Sequence, residues 1–308
     1  MNLSRSISFI LITAARNEET YIEKTIQSVI AQTVLPLRWV IVNDGSDDST
    51  PEILDRYAGR YPWIERIDMP AHRDRSFAAK AHCFNAGYRQ IEGLYFDVVG
   101  NLDADLSFDH DYFQFLMEKF VQIPELGVAG TIFREDGYDS STNSFEGENH
   151  VAGGCQFFRR KCFEEVGGYI PHAAGGVDWI AVTTARMKGW KTRSFREKHF
   201  FHYRSLGTAE RSSLAATFSY GEKDYYLGNH PLWELSRVLY RLGQKPRIAG
   251  GLALGAGYMS AAIRRIERPV SVELMRFHRK EEMQKLRTIC RSLLRLQRVD
   301  SFSVMSGK

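Results

Sequence analysis

The sequence predicts an α/β protein with a mixed, mainly parallel sheet flanked by helices and followed by a helical C-terminal region. Apolar segments with the character of strands alternate with amphipathic helical segments as far as about residue 207. Polar clusters follow several of these strands at their carboxyl ends, where open α/β sheets bind ligands. No strand pattern follows from residue 208 onward, and 308 residues suffice for one large domain with an appendage.

The first two strand–helix pairs have the clearest signals. Residues 7–15 form a continuous apolar run that is typical of a buried parallel strand, and residues 18–32 carry isoleucine and valine at helical spacing. The next strand, 37–44, ends at an acid. For the helix after it, Ser49 to Glu52 fits a capping box, with Pro51 in the first turn.

The alternation continues through the middle of the chain. Strands are expected at 64–70, 95–105 and 127–133, and helices at 77–91 and 111–122. Residues 134–150 are predicted to form a polar, acidic loop. After this loop we expect a strand and a short helix that ends at Gly167-Gly168, and then a helix over 177–190. A short strand in "KTRSF" and a strand and turn over 199–207 follow.

The composition favours a protein of a reducing compartment. The four cysteines are scattered without a C-x-x-C motif, which fits a cytoplasmic location. The apolar run near the N-terminus is short and has no small-residue cleavage site. We therefore expect it to be the first strand and not a signal peptide.

The net charge of +4 conceals an asymmetry along the chain. Residues 1–235 carry 25 Lys and Arg against 32 Asp and Glu, whereas residues 236–298 carry 15 against 4. A basic appendage on an acidic body predicts contact with a membrane surface or another anionic partner. A solvated helical face is the alternative.

Two segments of this C-terminal region bear on the membrane. Residues 248–263 contain no charge but are shorter than the roughly 20 residues that a spanning helix needs, so an interfacial, re-entrant or buried helix remains open. Residues 270–299 predict a basic amphipathic helix of the kind that lies on anionic membranes. Packing within the chain and a dimer contact are the alternatives for this helix.

The stretch "NLDADLSFDHDYF" places four acids where a strand should turn into a helix. Asp109 and Asp111 precede the helix, where the macrodipole favours acids. Asp103 and Asp105 instead follow an apolar strand, and a surface turn does not explain them. Two carboxylates at this spacing can supply oxygen ligands to one hard cation.

A second polar stretch, "VNDGSDDST", places the Asp44 carboxylate and several backbone N–H groups at a strand end. Ordinary turn chemistry is the alternative. A dinucleotide-binding Rossmann site is excluded, because the turn after the first strand, "AARNEE", contains no glycine.

Together these segments resemble the family 2 glycosyltransferases, which have the GT-A fold. The resemblance extends over about residues 7–207 and is carried by the ordered set "AARNEE", "VNDGSDDST", "KAHCFNAG", "NLDAD" and "GGCQFFRRKCFEEVGGY". D-x-D alone is a weak signal, whereas the ordered set is specific. The resemblance implies a nucleotide-diphosphate-sugar donor.

By matching motif positions, the resemblance also implies roles for individual residues. The segment from Ala14 through Arg16 to Glu18 would line the nucleotide pocket, with Asp44 near the base. Lys80 would approach the nucleotide or its diphosphate as a compact point charge.

The resemblance further implies a divalent cation, Mg²⁺ or Mn²⁺. Asp103 and Asp105 would form the D-x-D pair, with Asp105 as the direct ligand. His202 lies where related enzymes have a histidine that completes the metal shell, and imidazole is more natural for Mn²⁺ than for Mg²⁺. Arg204 would contact the diphosphate. A structural histidine and a salt-bridged arginine are the alternatives.

An inverting transfer also needs a base for the acceptor hydroxyl. The family places a carboxylate after the Gly-Gly-Tyr segment, usually within an acidic Glu-Asp pair, and here Asp178 in "AAGGVDWIAV" is the only acid. Val177 stands before it, so the pair is reduced to one residue. Helix N-capping is the alternative role for Asp178.

The sequence therefore predicts a metal-dependent inverting glycosyltransferase that uses a saccharide or lipid-linked acceptor, in cell-surface polysaccharide or glycolipid synthesis at the inner face of the cell membrane. The predicted domains are a catalytic domain over 1–207, with a nucleotide-sugar half to about 105 and an acceptor half from 106, and a basic helical region over 208–308. No nucleic-acid partner is expected.

Two other functions compete with this reading. "DADLS" resembles the start of haloacid-dehalogenase-like phosphohydrolases, with Asp103 as nucleophile, but the late G-D-x-x-x-D signal is missing because Val182 stands four residues after Asp178. A non-catalytic sugar-nucleotide-binding protein is the other alternative.

Overall fold

The computed structural model describes residues 7–70, 77–143, 147–172, 175–204 and 213–296. Parts of the predicted loop over 134–150, the turn over 205–207 and the end of the last helix lie outside the described residues. The chain divides into two compact units, one within residues 1–173 and 177–204 and the other within 174–176 and 205–308.

The first unit alternates strands with helices, as the sequence predicts. Its described elements, in chain order, are β1 (Phe9–Ala15), α1 (Ile22–Ile30), β2 (Arg38–Asn43), α2 (Thr50–Arg60), β3 (Ile64–Asp68), α3 (Phe77–Ile91), β4 (Val98–Leu102), β5 (Leu106–Phe108), α4 (Tyr112–Gln122), β6 (Leu126–Glu135), β7 (Tyr138–Asp139), α5 (Ser140–Asn143), β8 (Cys155–Arg159), α6 (Arg160–Val166), α7 (Val177–Met187) and β9 (Lys191–His202).

These strands form one mixed sheet in the order β3-β2-β1-β4-β8-β6-β9-β5, with β7 paired to β6. The β3-β2-β1-β4 half is entirely parallel. β8 runs antiparallel between β4 and β6, whereas β6 and β9 are parallel. The parallel half therefore aligns the carboxyl ends of β1, β2 and β4 at one edge, where the predicted site residues follow.

Both faces of the sheet are buried, which explains the continuous apolar run of β1. Phe9 and Leu11 point into a core shared with α1, α2 and α4, whereas Ile10 and Ile12 point into a core shared with α3, α6 and α7. Alternate side chains of a strand point to opposite faces, so a strand covered on both sides must be apolar throughout.

Several local details differ from the sequence-based expectations. Ser49 makes no side-chain cap hydrogen bond, so the predicted capping box is wrong; its N–H instead donates to Glu19 at 3.0 Å. Asp178 lies in the first turn of α7 and not at its N-cap. The two strands expected near 191–207 are one strand, β9, which continues through the charged residues between them. The sequence also gave no indication of β5.

The second unit is helical, as predicted, and its described helices are α8 (Ser213–Tyr226), α9 (Pro231–Leu242), α10 (Ala249–Ile263) and α11 (Val272–Leu294). The charge-free segment forms α10, which packs closely on α8 because Gly257 lies against the backbone of Phe218, with no space for a side chain. None of the described helices is long and apolar enough to cross a membrane.

Candidate functional site

The D-x-D segment leaves β4 and is held in place by neighbouring elements. The Asp103 N–H donates to the Gly154 carbonyl at 2.8 Å, which ties the segment to the loop before β8. The Thr25 hydroxyl of α1 donates to the Ala104 carbonyl at 2.8 Å and accepts from the Leu106 N–H at 3.0 Å. These bonds fix the backbone on both sides of Asp105, whose side chain is buried.

The antiparallel pairing of β5 with β9 brings His202 to this segment, since Leu106 pairs directly with His202. The Nε2 atom of His202 lies 3.3 Å from Oδ1 of Asp105. Asp103, Asp105 and His202 each offer one ligand atom, and these atoms all lie within 4.8 Å of one another. Two carboxylates and an imidazole form a donor set that suits a divalent cation such as Mn²⁺. The residues present therefore fit the predicted metal.

Glu135, at the end of β6, is a member of the site that the sequence analysis missed. Its Oε1 lies 3.0 Å from Nδ1 of His202, and its side chain is only 7% exposed. Burial lowers the pKa of His202, but the hydrogen bonds and negative charges of Asp105 and Glu135 outweigh burial and raise it to about 9. The available signal was an acid near the carboxyl end of a strand, the same signal that identified Asp105.

Lys80 of α3 faces the same acids. Its Nζ forms an ion pair with Oδ1 of Asp103. Burial lowers the pKa of Lys80, but Asp103, Asp178 and Asp105 together raise it above its ordinary value. Burial and the charge of Asp105 raise the pKa of Asp103, against the opposing effect of Lys80. A cation thus already balances part of the repulsion between the two aspartates.

The Gly153-Gly154 pair makes room for two carboxylates. A Cβ atom added to Gly153 would lie 2.5 Å from Oδ2 of Asp178, and one added to Gly154 would lie 3.5 Å from Oδ2 of Asp103. Asp178 therefore approaches the backbone of this loop closely, and its charge also acts on Lys80. Any larger residue at position 153 would displace it.

The predicted nucleotide-pocket residues Ala14, Arg16 and Asp44 lie at the ends of β1 and β2. Nη1 of Arg16 is 3.7 Å from Oδ2 of Asp44, and the Asp44 N–H donates to the Ala15 carbonyl at 2.8 Å. Ala14 pairs with Val42 in the sheet register. The side chain of Asp44 is buried.

Glu18 and Arg204 connect the first helix region to the end of β9. The guanidinium donates two hydrogen bonds to the carboxylate, at 3.0 and 2.8 Å. Burial raises the pKa of Glu18 to about 7, with Arg204 acting against the shift and Asp105 adding to it. Arg204 also lies over the ring of Tyr21, which stacks on Tyr203.

The structure thus brings most of the predicted residues together around the D-x-D segment. The two aspartates, Asp103 and Asp105, interact with Lys80 and His202. Asp178 also interacts with Lys80. Both aspartates raise the pKa of Glu18. Asp111 does not join them, because its carboxylate accepts a hydrogen bond from Lys198 at 2.6 Å. Asp111 lies at the N-terminus of α4 but makes no side-chain cap, and the roles of the four acids stay predictions.

Comparison with known proteins agrees with this geometry. The model of the family described as Glycosyl transferase family 2 matches residues 10–176, more than half of the chain. The poly-beta-1,6-N-acetyl-D-glucosamine synthase of Staphylococcus aureus (strain COL) is 33% identical over 122 residues, and that of Staphylococcus epidermidis is 31% identical over the same length. Each match covers 40% of this chain and 27% of the relative, so the chain matches little more than a quarter of either curated relative.

The fold is similar to that of two solved glycosyltransferases. The mannosyltransferase PcManGT from Pyrobaculum calidifontis, solved with GDP-Man and Mn²⁺, aligns with a TM-score of 0.56 at 17% identity, over 94% of this chain and 84% of that one. S. aureus TarS 1-349 with UDP-GlcNAc aligns with a TM-score of 0.53 at 13% identity, over 97% and 90%. At these identities the likeness establishes the GT-A fold.

Proposed function

The chain belongs to glycosyl transferase family 2, and we propose that it is a metal-dependent, inverting glycosyltransferase acting on a nucleotide-diphosphate-sugar donor. The observation that carries the proposal is the convergence of Asp103, Asp105 and His202 within 4.8 Å, beside Lys80 and Asp178. The family assignment gives no support to the phosphohydrolase alternative with Asp103 as nucleophile.

Asp103, Asp105 and His202 would hold Mg²⁺ or Mn²⁺. The bound cation would supply positive charge to the diphosphate oxygens of the leaving group. Both ring nitrogens of His202 face carboxylates, Nδ1 at Glu135 and Nε2 at Asp105. A cation would take the place of the Nε2 proton, while Glu135 would keep the Nδ1–H and so orient the ring. Three protein ligands would not fill the shell of such a cation, which would also accept diphosphate oxygens.

Lys80 and Arg204 are the chain's own cations at the diphosphate. Lys80 is ion-paired with Asp103, and its ammonium would turn toward phosphate oxygens once a metal neutralises that carboxylate. Arg204 presents a planar guanidinium suited to bidentate contact with phosphate, now engaged by Glu18. Arg16 and Asp44 would bind the nucleotide at the ends of β1 and β2, beside Ala14.

Asp178 is proposed as the general base. It would take the proton from the acceptor hydroxyl while the acceptor oxygen forms its bond to the anomeric carbon. The bond from that carbon to the diphosphate oxygen breaks on the opposite side, and its electron pair leaves with the nucleoside diphosphate. The anomeric configuration is therefore inverted.

The acceptor and the location are also proposals. Two relatives are named as synthases of a poly-N-acetylglucosamine, which supports a saccharide or lipid-linked acceptor in cell-surface polysaccharide or glycolipid synthesis. The excess of 15 Lys and Arg over 4 Asp and Glu across residues 236–298 supports a contact between the C-terminal region and the inner face of the cell membrane.

A panel of sugar nucleotides tests the activity. The chain should release nucleoside diphosphate from one donor in the presence of Mn²⁺ or Mg²⁺, more rapidly when a matching saccharide acceptor is added. Asp105→Asn should abolish this release, whereas Asp109→Asn, an acid of the same stretch assigned to the helix start, should retain it. Binding of a sugar nucleotide without any turnover would favour the non-catalytic alternative.

A further inference from the structure

Helices α9 and α10 form an antiparallel hairpin in the second unit. Close approaches at three glycines of α10 define the pairing: Gly250 lies against Arg241, Gly251 against Leu242, and Gly255 against Val238. From Gly250 and Gly251 to Gly255 the contacts on α9 go back from Arg241 and Leu242 to Val238, so the two helices run in opposite directions. The turn between them spans residues 243–248.

Each helix of the hairpin leaves a row of large apolar side chains exposed. On α9 these are Leu232, Leu235 and Leu239, with exposed fractions of 56%, 53% and 59%. The corresponding residues on α10 are Leu252, Met259 and Ile263, at 61%, 57% and 76%. Their spacing of three, four or seven residues places each row on one helix face.

The two rows lie on the same side of the hairpin. Leu239 follows the contact residue Val238 by one position, and Leu252 follows the contact residue Gly251 by one position. Both rows are therefore rotated in the same sense from the contact line. In an antiparallel pair, equal rotation directs both rows to one side. We call these six residues the hairpin face.

The charges around the hairpin face are mostly basic. Lys245 and Arg247 are exposed in the turn, and Arg264 and Arg265 are exposed at the end of α10. α10 contains no acid, and the only acid of α9, Glu234, is 3% exposed. The surface at the turn is therefore cationic, whereas at the end of α10 the two arginines lie near Glu222, which pairs with Arg264, and the exposed Glu267.

We propose that the hairpin face lies on the surface of a bilayer that contains anionic phospholipid. Exposed leucine, isoleucine and methionine would enter the boundary between headgroups and acyl chains, while the flanking arginines and lysine contact phosphate groups. A second copy of the chain fits this face less well, because neither α9 nor α10 exposes an acid that could pair with Lys245 and Arg247 of the turn.

This proposal refines the membrane contact of the proposed function and moves it within the C-terminal region. The sequence predicted that the last helix lies on a membrane and left an interfacial role open for residues 248–263. In the structure Leu274, His278 and Glu282 of α11 are buried within the second unit. The first half of α11 thus uses its inner side for packing. Exposed leucines occur on α11 only near its end, at Leu293 and Leu294.

Vesicle sedimentation with the full chain, without donor or acceptor, tests the proposal. Vesicles of phosphatidylcholine with phosphatidylglycerol should bind the chain, and vesicles of phosphatidylcholine alone should bind it much less. Leu252→Glu combined with Met259→Glu should weaken binding about tenfold or more, because two charges replace inserted apolar groups. The matched control is Leu37→Glu with Val121→Glu, at residues of the first unit that are 55% and 48% exposed; it should bind as the wild type does.

The outcomes separate the alternatives. Equal vesicle binding by the hairpin variant and the control would overturn the proposal, as would absence of binding by the wild-type chain. An oligomer in sedimentation velocity that the hairpin variant dissociates, without vesicle binding by the wild type, would assign the face to a second copy. Circular dichroism checks that both variants are folded. Donor turnover measured without vesicles reports on the proposed function separately.

Discussion

At the scale of the residue, we propose that Asp178 takes the proton from the acceptor hydroxyl and does not help to bind the nucleotide-sugar donor. Replacing it by asparagine keeps the shape against Gly153 but removes the base. Asp178→Asn should therefore bind nucleoside diphosphate as the wild type does and lose transfer by about 10²-fold or more. Turnover with an acceptor measures the loss of transfer, and isothermal titration calorimetry on the same preparation measures nucleotide binding. Unchanged turnover would remove Asp178 from the role of base.

We propose that Glu135 positions the ring of His202, and metal binding can test this role. The neutral glutamine of Glu135→Gln is a weaker acceptor for the Nδ1–H of His202, so we expect Mn²⁺ affinity to fall by about 10- to 100-fold. Electron paramagnetic resonance titration of Mn²⁺ measures this without turnover. Glu125→Gln is the control, since the Glu125 side chain is 63% exposed and faces Lys191. Equal Mn²⁺ affinity in the two variants would show that Glu135 does not orient His202.

At the scale of the element, the loop before β8 offers a matched pair of substitutions. Neither Gly153 nor Gly154 has a positive φ, so alanine is compatible with the backbone at both positions. The new Cβ would overlap Asp178 at 2.5 Å in Gly153→Ala but would make ordinary contacts at 3.5 Å in Gly154→Ala. We expect Gly153→Ala to lose transfer by about 10²-fold, and Gly154→Ala to retain most of it.

Transfer assays and thermal unfolding of the two variants distinguish site geometry from stability. Loss of transfer in Gly153→Ala with an unchanged unfolding temperature supports the displacement of Asp178. Equal activity in the two variants would contradict the close approach of Asp178 to this loop.

The helices of the second unit enclose a buried carboxyl group whose pKa predicts a pH dependence. Burial raises the pKa of Glu234 on α9 to about 8, with Asp224 of α8 and Glu282 of α11 adding to the shift and Arg237 opposing it. The folded state therefore keeps a proton that the unfolded chain releases near its model value of 4.5. The stabilising contribution of this group is complete below that value and is lost as the pH rises toward about 8.

Glu234→Gln should remove this dependence. The free energy of unfolding of the variant relative to the wild type should increase with pH between about 6 and 8, by at most about 1.4 kcal/mol per pH unit. Urea unfolding of the full chain followed by the helical signal measures the difference. Glu273→Gln, at an exposed position of α11, is the control. Parallel pH profiles for Glu234→Gln and the wild type would contradict the assignment.

The elements also indicate how far the sequence could predict the structure. Periodicity identified β1, α1 and α3, because their patterns arise from burial on one or both sides. It missed β5, which has only three residues and exists because it pairs with β9. The capping box at Ser49 was wrong, because Glu19 accepts the Ser49 N–H that Glu52 was expected to accept, and Asp48 accepts the N–H of Thr50, the first residue of α2. Pairings between distant segments leave no local pattern in the sequence.

At the scale of the whole molecule, contacts between distant segments explain why the sequence predicted only part of the site. Ordered motifs indicated Lys80, Asp103, Asp105 and His202, but Glu135 joins them only because β6 and β9 are neighbours. The hairpin face likewise depends on the way α9 and α10 pair, whereas composition revealed only that the region is basic. Family membership and the GT-A fold are confirmed, and the roles of the individual site residues stay predictions.

Thermal stabilisation by nucleoside diphosphates with and without Mn²⁺ tests the central claim most directly. A ligand that binds only the native state stabilises it by about 2.7 kcal/mol at a hundredfold excess over its dissociation constant. We predict that UDP or GDP raises the unfolding temperature of the full chain only when Mn²⁺ is present, and that Asp105→Asn removes this shift. An unchanged unfolding temperature with every nucleoside diphosphate, in the presence of Mn²⁺, would contradict a metal-dependent sugar-nucleotide site at Asp103, Asp105 and His202.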